Sequence, residues 1–171
     1  MRHSLLRFSI AAALVAGLGF STPALAQTTV REQVPQRTVA KTPAKPSASV
    51  LHKLAIQVAE NNPEIMNLAL NNAKNVLEFY RSKGEKVDIE IVTFGPGLHM
   101  LRDDTSPVKA RVAQMALEEP NLKFIACANT QGRHSKAEQK PITLVSEAKV
   151  LPSGVVRLME LQRQGYAYLR P

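Results

Sequence analysis

The sequence predicts an α/β fold, a three-layer sandwich with a central, mainly parallel sheet of five strands and helices on both faces. Apolar runs of strand length alternate with segments of helical periodicity, which is typical of βαβ units and a parallel sheet. Crossovers between parallel strands are right-handed, so we expect helices on both faces. Residues 50–171, which show this pattern, are numerous enough for one domain with its own apolar core.

Helix caps and turn residues bound the predicted elements. Asn62 and Pro63 fit the N-cap and first position of the first helix, and Gly84 fits its end. Ser153-Gly154 begins the last helix. The predicted strands cover residues 53–59, 87–94, 122–128, 149–151 and 166–169, and the predicted helices cover 62–84, 106–119, 135–140 and 153–165.

Two segments precede the domain. Residues 1–26 have a positive start, an apolar stretch and a small-residue cleavage site after Ala26, which predicts a signal peptide and a periplasmic protein. After cleavage we expect no stable membrane insertion, and an uncleaved anchor is the alternative. Residues 27–49 are polar and proline-rich without periodicity, which favours a flexible linker over an ordered arm.

The net charge and the cysteine content limit the classes of function that the chain can have. The formal net charge is +8, but export and the absence of aromatic residues interleaved with a basic stripe argue against nucleic acid as a partner. Cys127 is the only cysteine, so the chain cannot form an internal disulfide. In an oxidising compartment a lone thiol is exposed to oxidation. Composition leaves open whether Cys127 is buried and inert or kept for its chemistry.

Functional sites in open α/β sheets lie at the carboxyl ends of strands. The sequence places Cys127 at the end of the third strand and His99 after the second, so the two share one edge if these strands are neighbours. A helix start with Arg133, His134 and Lys136 would favour the thiolate, the nucleophile and sulfur acceptor. The alternatives are an apolar filler for Cys127 and, as the better interpretation, a solvent-exposed loop histidine for His99.

Three further patterns have structural interpretations. Gly95 and Gly97 mark a sharp exit from the second strand, because they lack the spacing of a dinucleotide fingerprint or a P-loop. The histidines and Cys127 lack metal-ligand spacing, so the sequence predicts no metal and no cofactor. Asn72 lies on the apolar stripe of the first helix, and we expect it to be largely buried and hydrogen-bonded to a neighbouring loop or strand end.

Five segments of the chain carry a combined pattern: Asn72 and Asn75, Gly95-Pro96-Gly97-Leu98, Ala126-Cys127-Ala128-Asn129-Thr130, Pro152-Ser153-Gly154-Val155-Val156, and Leu161-Gln162 with the ending from Gly165 to Pro171. In order and spacing they resemble the DsrE/DsrF-like sulfur-relay superfamily, most closely its exported branch. The resemblance covers residues 50–171. It implies a mainly parallel α/β fold, a homo-oligomer (trimer or hexamer), and a persulfide-carrying cysteine at the position of Cys127.

The leading hypothesis is a periplasmic sulfur-handling or thiol-dependent protein in which Cys127 accepts sulfur from a small donor and passes it to a partner. The second hypothesis is a non-catalytic, oligomeric binding module with a structural cysteine. A third, a small-ligand or nucleotide-binding protein, needs a deep pocket at the strand ends, and export argues against nucleotides. The candidate catalytic residues are Cys127 and His99, and the candidate binding residues are Asn129, Thr130, Gly95 and Gly97.

Overall fold

The computed structural model describes residues 51–171. The predicted signal peptide (1–26) and linker (27–49) lie outside the described residues, so export stays a prediction. Among residues 51–171, no helix is long and apolar enough to cross a membrane.

One sheet organises the described residues. Its strands follow the order β4-β3-β2-β1-β5, and every neighbouring pair is parallel. This confirms the predicted α/β class with five strands. The strands are β1 (Leu51–Val58), β2 (Lys86–Thr93), β3 (Leu122–Cys127), β4 (Ala148–Leu151) and β5 (Ala167–Leu169); the helices are α1 (Pro63–Ser82), α2 (Lys109–Glu118), α3 (Ala128–Glu138) and α4 (Gly154–Arg163), with a 3₁₀ segment at Gly95–Leu101.

The direction of the crossovers decides which face each helix covers. From β1 to β4 the chain advances across the sheet in one direction, so right-handed crossovers place the intervening helices on one face. The return from β4 to β5 runs the opposite way and places α4 on the other face. The two apolar clusters agree, because α1, α2 and the 3₁₀ segment pack on one set of strand side chains and α4 packs on Ala55, Val92 and Ile125.

Helix α1 begins as its sequence predicts. The side-chain oxygen of Asn62 accepts hydrogen bonds from the backbone N–H groups of Glu64, at 2.7 Å, and Ile65. Pro63 occupies the first helical position, where its missing N–H costs nothing. Gly84 follows the end of the helix with a φ of 69°, a conformation that favours glycine.

The prediction for α3 was wrong in extent. A short helix was expected over 135–140, whereas α3 runs from Ala128 to Glu138 and begins directly after β3. Thr130 is the one residue that α3 buries, so the helix has no apolar stripe from which helical periodicity could be detected. The residues directly after Cys127 therefore form the first turn of a helix.

The prediction for Asn72 was also wrong. Asn72 is half-buried, and within residues 51–171 its side chain makes no hydrogen bond. It lies at the margin of the stripe that α1 buries. The amides that form tertiary contacts are those of Asn67 and Asn71, which accept hydrogen bonds from the guanidinium group of Arg111 on α2. These contacts tie α1 to α2 on the face opposite α4.

Candidate functional site

Cys127 lies where two helices begin. It is the last residue of β3 and the N-cap of α3, and the next strand in the sheet, β4, leads into α4. Because α3 and α4 follow neighbouring strands but belong to opposite faces, their first turns diverge around the carboxyl ends of β3 and β4. A crevice of this kind is where open α/β sheets bind ligands.

The crevice forms a small cleft of about 220 Å³. Cys127 is 5% exposed overall and forms part of the cleft wall. The volume is below the range of pockets that hold drug-sized ligands, so the cleft suits a small molecule. Its lining residues are Phe94, Gly95, Cys127, Asn129, Thr130, Arg133, Ser153 and Val155.

Opposing effects act on the pKa of the Cys127 thiol. Burial raises it, but the Thr130 hydroxyl and the backbone N–H groups of Gly154, Thr130 and Asn129, which lie near the sulfur, outweigh burial and lower the pKa below its usual value. Three of these donors lie in the first turns of α3 and α4, where N–H groups lack partners within the helix. The carbonyl of Pro152, which favours the neutral thiol as an acceptor, is 3.9 Å from the sulfur. On balance the site lowers the pKa of the Cys127 thiol.

Thr130 is held with its hydroxyl available to the sulfur. Its side chain is nearly buried, and its Oγ1 accepts a hydrogen bond of 3.0 Å from the backbone N–H of Gly95. With the oxygen used as an acceptor on one side, the hydroxyl hydrogen is free to be donated to Cys127 on the other. Gly95 therefore acts on the thiol through Thr130.

Helix α4 is fixed over the sheet by a buried ion pair. The carboxylate of Glu90, in the middle of β2, accepts two hydrogen bonds from the guanidinium of Arg157, at 2.9 and 2.7 Å. Bidentate pairing restrains orientation as well as distance. At the first turn, the side chain of Ser153 caps the helix, and a Cβ on Gly154 would lie 2.9 Å from the ring of Phe94. These contacts fix the first turn of α4 beside the cleft.

The structure does not bring His99 to Cys127. His99 lies in the 3₁₀ segment and is absent from the cleft wall. Its Nδ1 is 2.7 Å from the hydroxyl oxygen of Thr105, and its ring lies 5.5 Å from that of His134, centroid to centroid. Burial lowers the pKa of His99, and the charge of Arg102 and then that of His134 lower it further. His99 therefore belongs to a neighbouring cluster.

The other candidate binding residues have distinct positions. Asn129 and Thr130 line the cleft, and the N–H of Asn129 donates to the Pro152 carbonyl at 3.2 Å. Gly95 lines the cleft with a φ of 53°. Gly97 is buried against the end of β1 and is not part of the cleft, so its role is to allow close packing of the backbone.

Arg133 is the basic residue of the cleft wall, as the sequence suggested, whereas His134 and Lys136 are not part of that wall. The sequence reasoning missed the N–H of Gly154 and the carbonyl of Pro152. The sequence predicts that a helix begins at Ser153, after a strand. It does not predict that this strand, β4, pairs with β3 and so brings Gly154 and Pro152 close to Cys127. Within residues 51–171, no three His, Cys, Asp or Glu side chains are grouped so that they could hold a metal ion.

Comparison with known proteins supports the fold. No protein-family model matches the chain, and no curated protein matches it. A solved structure of a protein of unknown function from Methanobacterium thermoautotrophicum is similar, with 26% sequence identity and a TM-score of 0.60. The match covers 70% of this chain and 99% of the archaeal chain. The two proteins share a fold. Because the function of the archaeal protein is unknown, the similarity gives no information about activity.

Proposed function

We propose that this chain is an exported, DsrE-like sulfur carrier in which Cys127 accepts sulfane sulfur as a persulfide and passes it to a partner protein. The observation that carries the proposal is the position of Cys127 in the wall of a small cleft where two helices begin, beside a Thr130 hydroxyl and helix-start N–H groups that lower the pKa of the thiol. A thiolate is the nucleophilic form of cysteine. Asn129 and Thr130 tune it directly, and Gly95 does so through Thr130.

The transfer needs no external oxidant or reductant. The Cys127 thiolate attacks the outer sulfur of a donor persulfide, R–S–SH; the new S–S bond forms as the old one breaks, and the donor leaves as the thiolate R–S⁻. In the second step an acceptor thiolate attacks the outer sulfur of the Cys127 persulfide, and Cys127 leaves as a thiolate. The donors that stabilise the Cys127 thiolate therefore assist the second step, because they stabilise the leaving group.

Incubation with a small sulfane-sulfur donor, followed by intact mass measurement, tests the proposal. We expect one added sulfur atom per chain, removed by a reductant and assigned without ambiguity because Cys127 is the only cysteine. Cys127→Ser is the matched control and is expected to gain no mass. An absence of added mass on the wild-type protein with several chemically different donors would contradict the proposal.

A second candidate function is a non-catalytic, oligomeric binding module with a structural cysteine. It is favoured by the small exposed fraction of Cys127 and by three apolar side chains of α4, Val155, Val156 and Met159, each about half exposed. In that case the thiol reacts only after unfolding, and Cys127→Ser leaves stability and phenotype almost unchanged. Exposed apolar patches commonly mark interaction sites, which is consistent with a proposed homo-oligomer.

A further inference from the structure

In the part of the chain that the structure describes, the cleft at Cys127 is lined by a single charged side chain. Arg133 is a cation, and none of the other lining residues is a carboxylate. An arginine stays protonated at every physiological pH. Apart from the sulfur itself, the remaining lining groups are neutral, so nothing in the cleft wall offsets the positive charge of Arg133.

Arg133 also has no partner among the groups of residues 51–171. Its guanidinium makes no hydrogen bond and no ion pair with any of them. The other arginines of this range, except Arg163, donate to carboxylate or amide oxygens. The N–H donors of Arg133 are therefore available to a group from outside the described chain.

Neutral donors accompany Arg133 in the same cleft. Asn129 and Arg133 are four residues apart on α3, so they lie one turn apart on the same face of the helix, and both line the cleft. Ser153, the N-cap of α4, lines it from the other helix. Within residues 51–171, no acceptor takes the amide hydrogens of Asn129 or the hydroxyl hydrogen of Ser153. A guanidinium with neutral donors beside it suits a compact oxyanion.

We propose that Arg133 binds the anionic group of a small sulfane-sulfur donor and presents its outer sulfur to Cys127, so that the cleft selects anionic donors, of which thiosulfate is the simplest, over uncharged ones. The inference rests on the proposed function, because it names the class of donor from which Cys127 takes sulfur. The cleft volume of about 220 Å³ suits a donor of this size, since it is below the range of pockets that hold drug-sized molecules.

Transfer from thiosulfate balances without a further reactant. The Cys127 thiolate attacks the outer sulfur of thiosulfate; the new S–S bond forms as the bond to the sulfonate group breaks, and sulfite leaves with the electron pair. Cys127 is left as a persulfide anion, and the total charge is unchanged. The reaction brings a thiolate and a dianion together, and like charges repel. The guanidinium of Arg133 offsets this repulsion, which an uncharged donor does not experience.

The first test measures binding of the anion separately from sulfur transfer. It uses Cys127→Ser, which cannot form a persulfide, and follows the backbone amide resonances of α3 during a titration with thiosulfate. We expect saturable shifts in the first turns of the helix. Adding Arg133→Gln should weaken binding at least about tenfold, because hydrogen bonds to a charged group are lost. Arg163→Gln is the matched control and should change nothing, since this arginine also lacks a partner within residues 51–171 but lies at the far end of α4.

The second test measures transfer with Cys127 in place. The initial rate of sulfur uptake from excess thiosulfate, followed by intact mass, is divided by the rate of alkylation by iodoacetamide, an uncharged reagent that reports the reactivity of the sulfur itself. Arg133→Gln should lower this ratio about tenfold. Arg133→Lys should restore part of it, because lysine keeps the charge but loses the planar fork that pairs with two oxygens. Arg163→Gln should have the wild-type ratio.

Either of two results would overturn the proposal. One is thiosulfate binding to Cys127→Ser that is absent or is unaffected by Arg133→Gln. The other is a transfer ratio that is equal in the wild-type protein and Arg133→Gln. In both cases, sulfur uptake by the wild-type protein would leave the proposed function standing. Binding that depends on Arg133, together with no added mass from any donor, would retain the anion site and contradict the proposed function instead.

Discussion

Replacing Gly97 by alanine is expected to destabilise the domain by about 3 kcal/mol, the upper part of the range for overpacking. An added Cβ would lie 2.2 Å from the carbonyl oxygen of Val58 and 2.6 Å from its carbonyl carbon. Both are backbone atoms at the end of β1, and no rotamer change can relieve the contact. The 3₁₀ segment must move off the sheet, which also displaces Gly95 from Thr130.

Gly132→Ala is the matched control, measured with Gly97→Ala by urea unfolding. Gly132 lies inside α3, and no atom is within 4 Å of the position its Cβ would take. Alanine is the better helix former by up to about 1 kcal/mol, so the control should be neutral or stabilising. If Gly97→Ala unfolds at the same urea concentration as wild type, the close contact between the 3₁₀ segment and β1 is wrong.

Replacing Thr130 by valine is expected to raise the pKa of Cys127 and to slow its alkylation at neutral pH about tenfold. A hydrogen bond to a charged group contributes about 1.5 kcal/mol or more, and valine keeps the shape of the side chain while removing the donor. The backbone N–H of Gly95 also loses its acceptor, so a loss of about 1 kcal/mol of stability should accompany the change.

Two variants accompany Thr130→Val in the alkylation measurement. Thr130→Ser keeps a hydroxyl at the same position and should restore most of the rate. Thr143→Val changes an exposed threonine outside the cleft and should react like wild type. Equal rates for Thr130→Val and Thr143→Val would show that the Thr130 hydroxyl does not act on the sulfur.

The fold was predictable because helices α1, α2 and α4 and strands β1, β2 and β3 bury apolar side chains in recognisable patterns. Their bounds shifted by only a few residues between sequence and structure. Helix α3 was not predictable over its full length, because it buries only Thr130 and lies at the edge of the core. Helix α3 places backbone N–H groups near Cys127, and the position of backbone groups cannot be detected from side-chain periodicity.

The location of the candidate site could be predicted from the sequence, but the residues that surround Cys127 could not. Cys127 lies at the carboxyl edge of the sheet, as the rule for parallel sheets indicates. His99 also follows a strand, but the 3₁₀ segment carries it to His134 instead of the sulfur. Gly154 reaches Cys127 because β4 pairs with β3, and strand order is a property of the whole chain that local patterns do not contain.

The central claim is that the fold holds Cys127 as a stabilised thiolate. The most direct measurement is the pKa of Cys127 from alkylation rate against pH, made on the folded protein and again in denaturant, with Cys127→Ser as the blank. Because the folded environment lowers the pKa, thiolate stabilisation is present above pH 9.0, the unperturbed value, and is lost as the pH falls through the folded pKa. The account predicts a lower pKa folded than unfolded. A folded pKa equal to or above the unfolded one would contradict it.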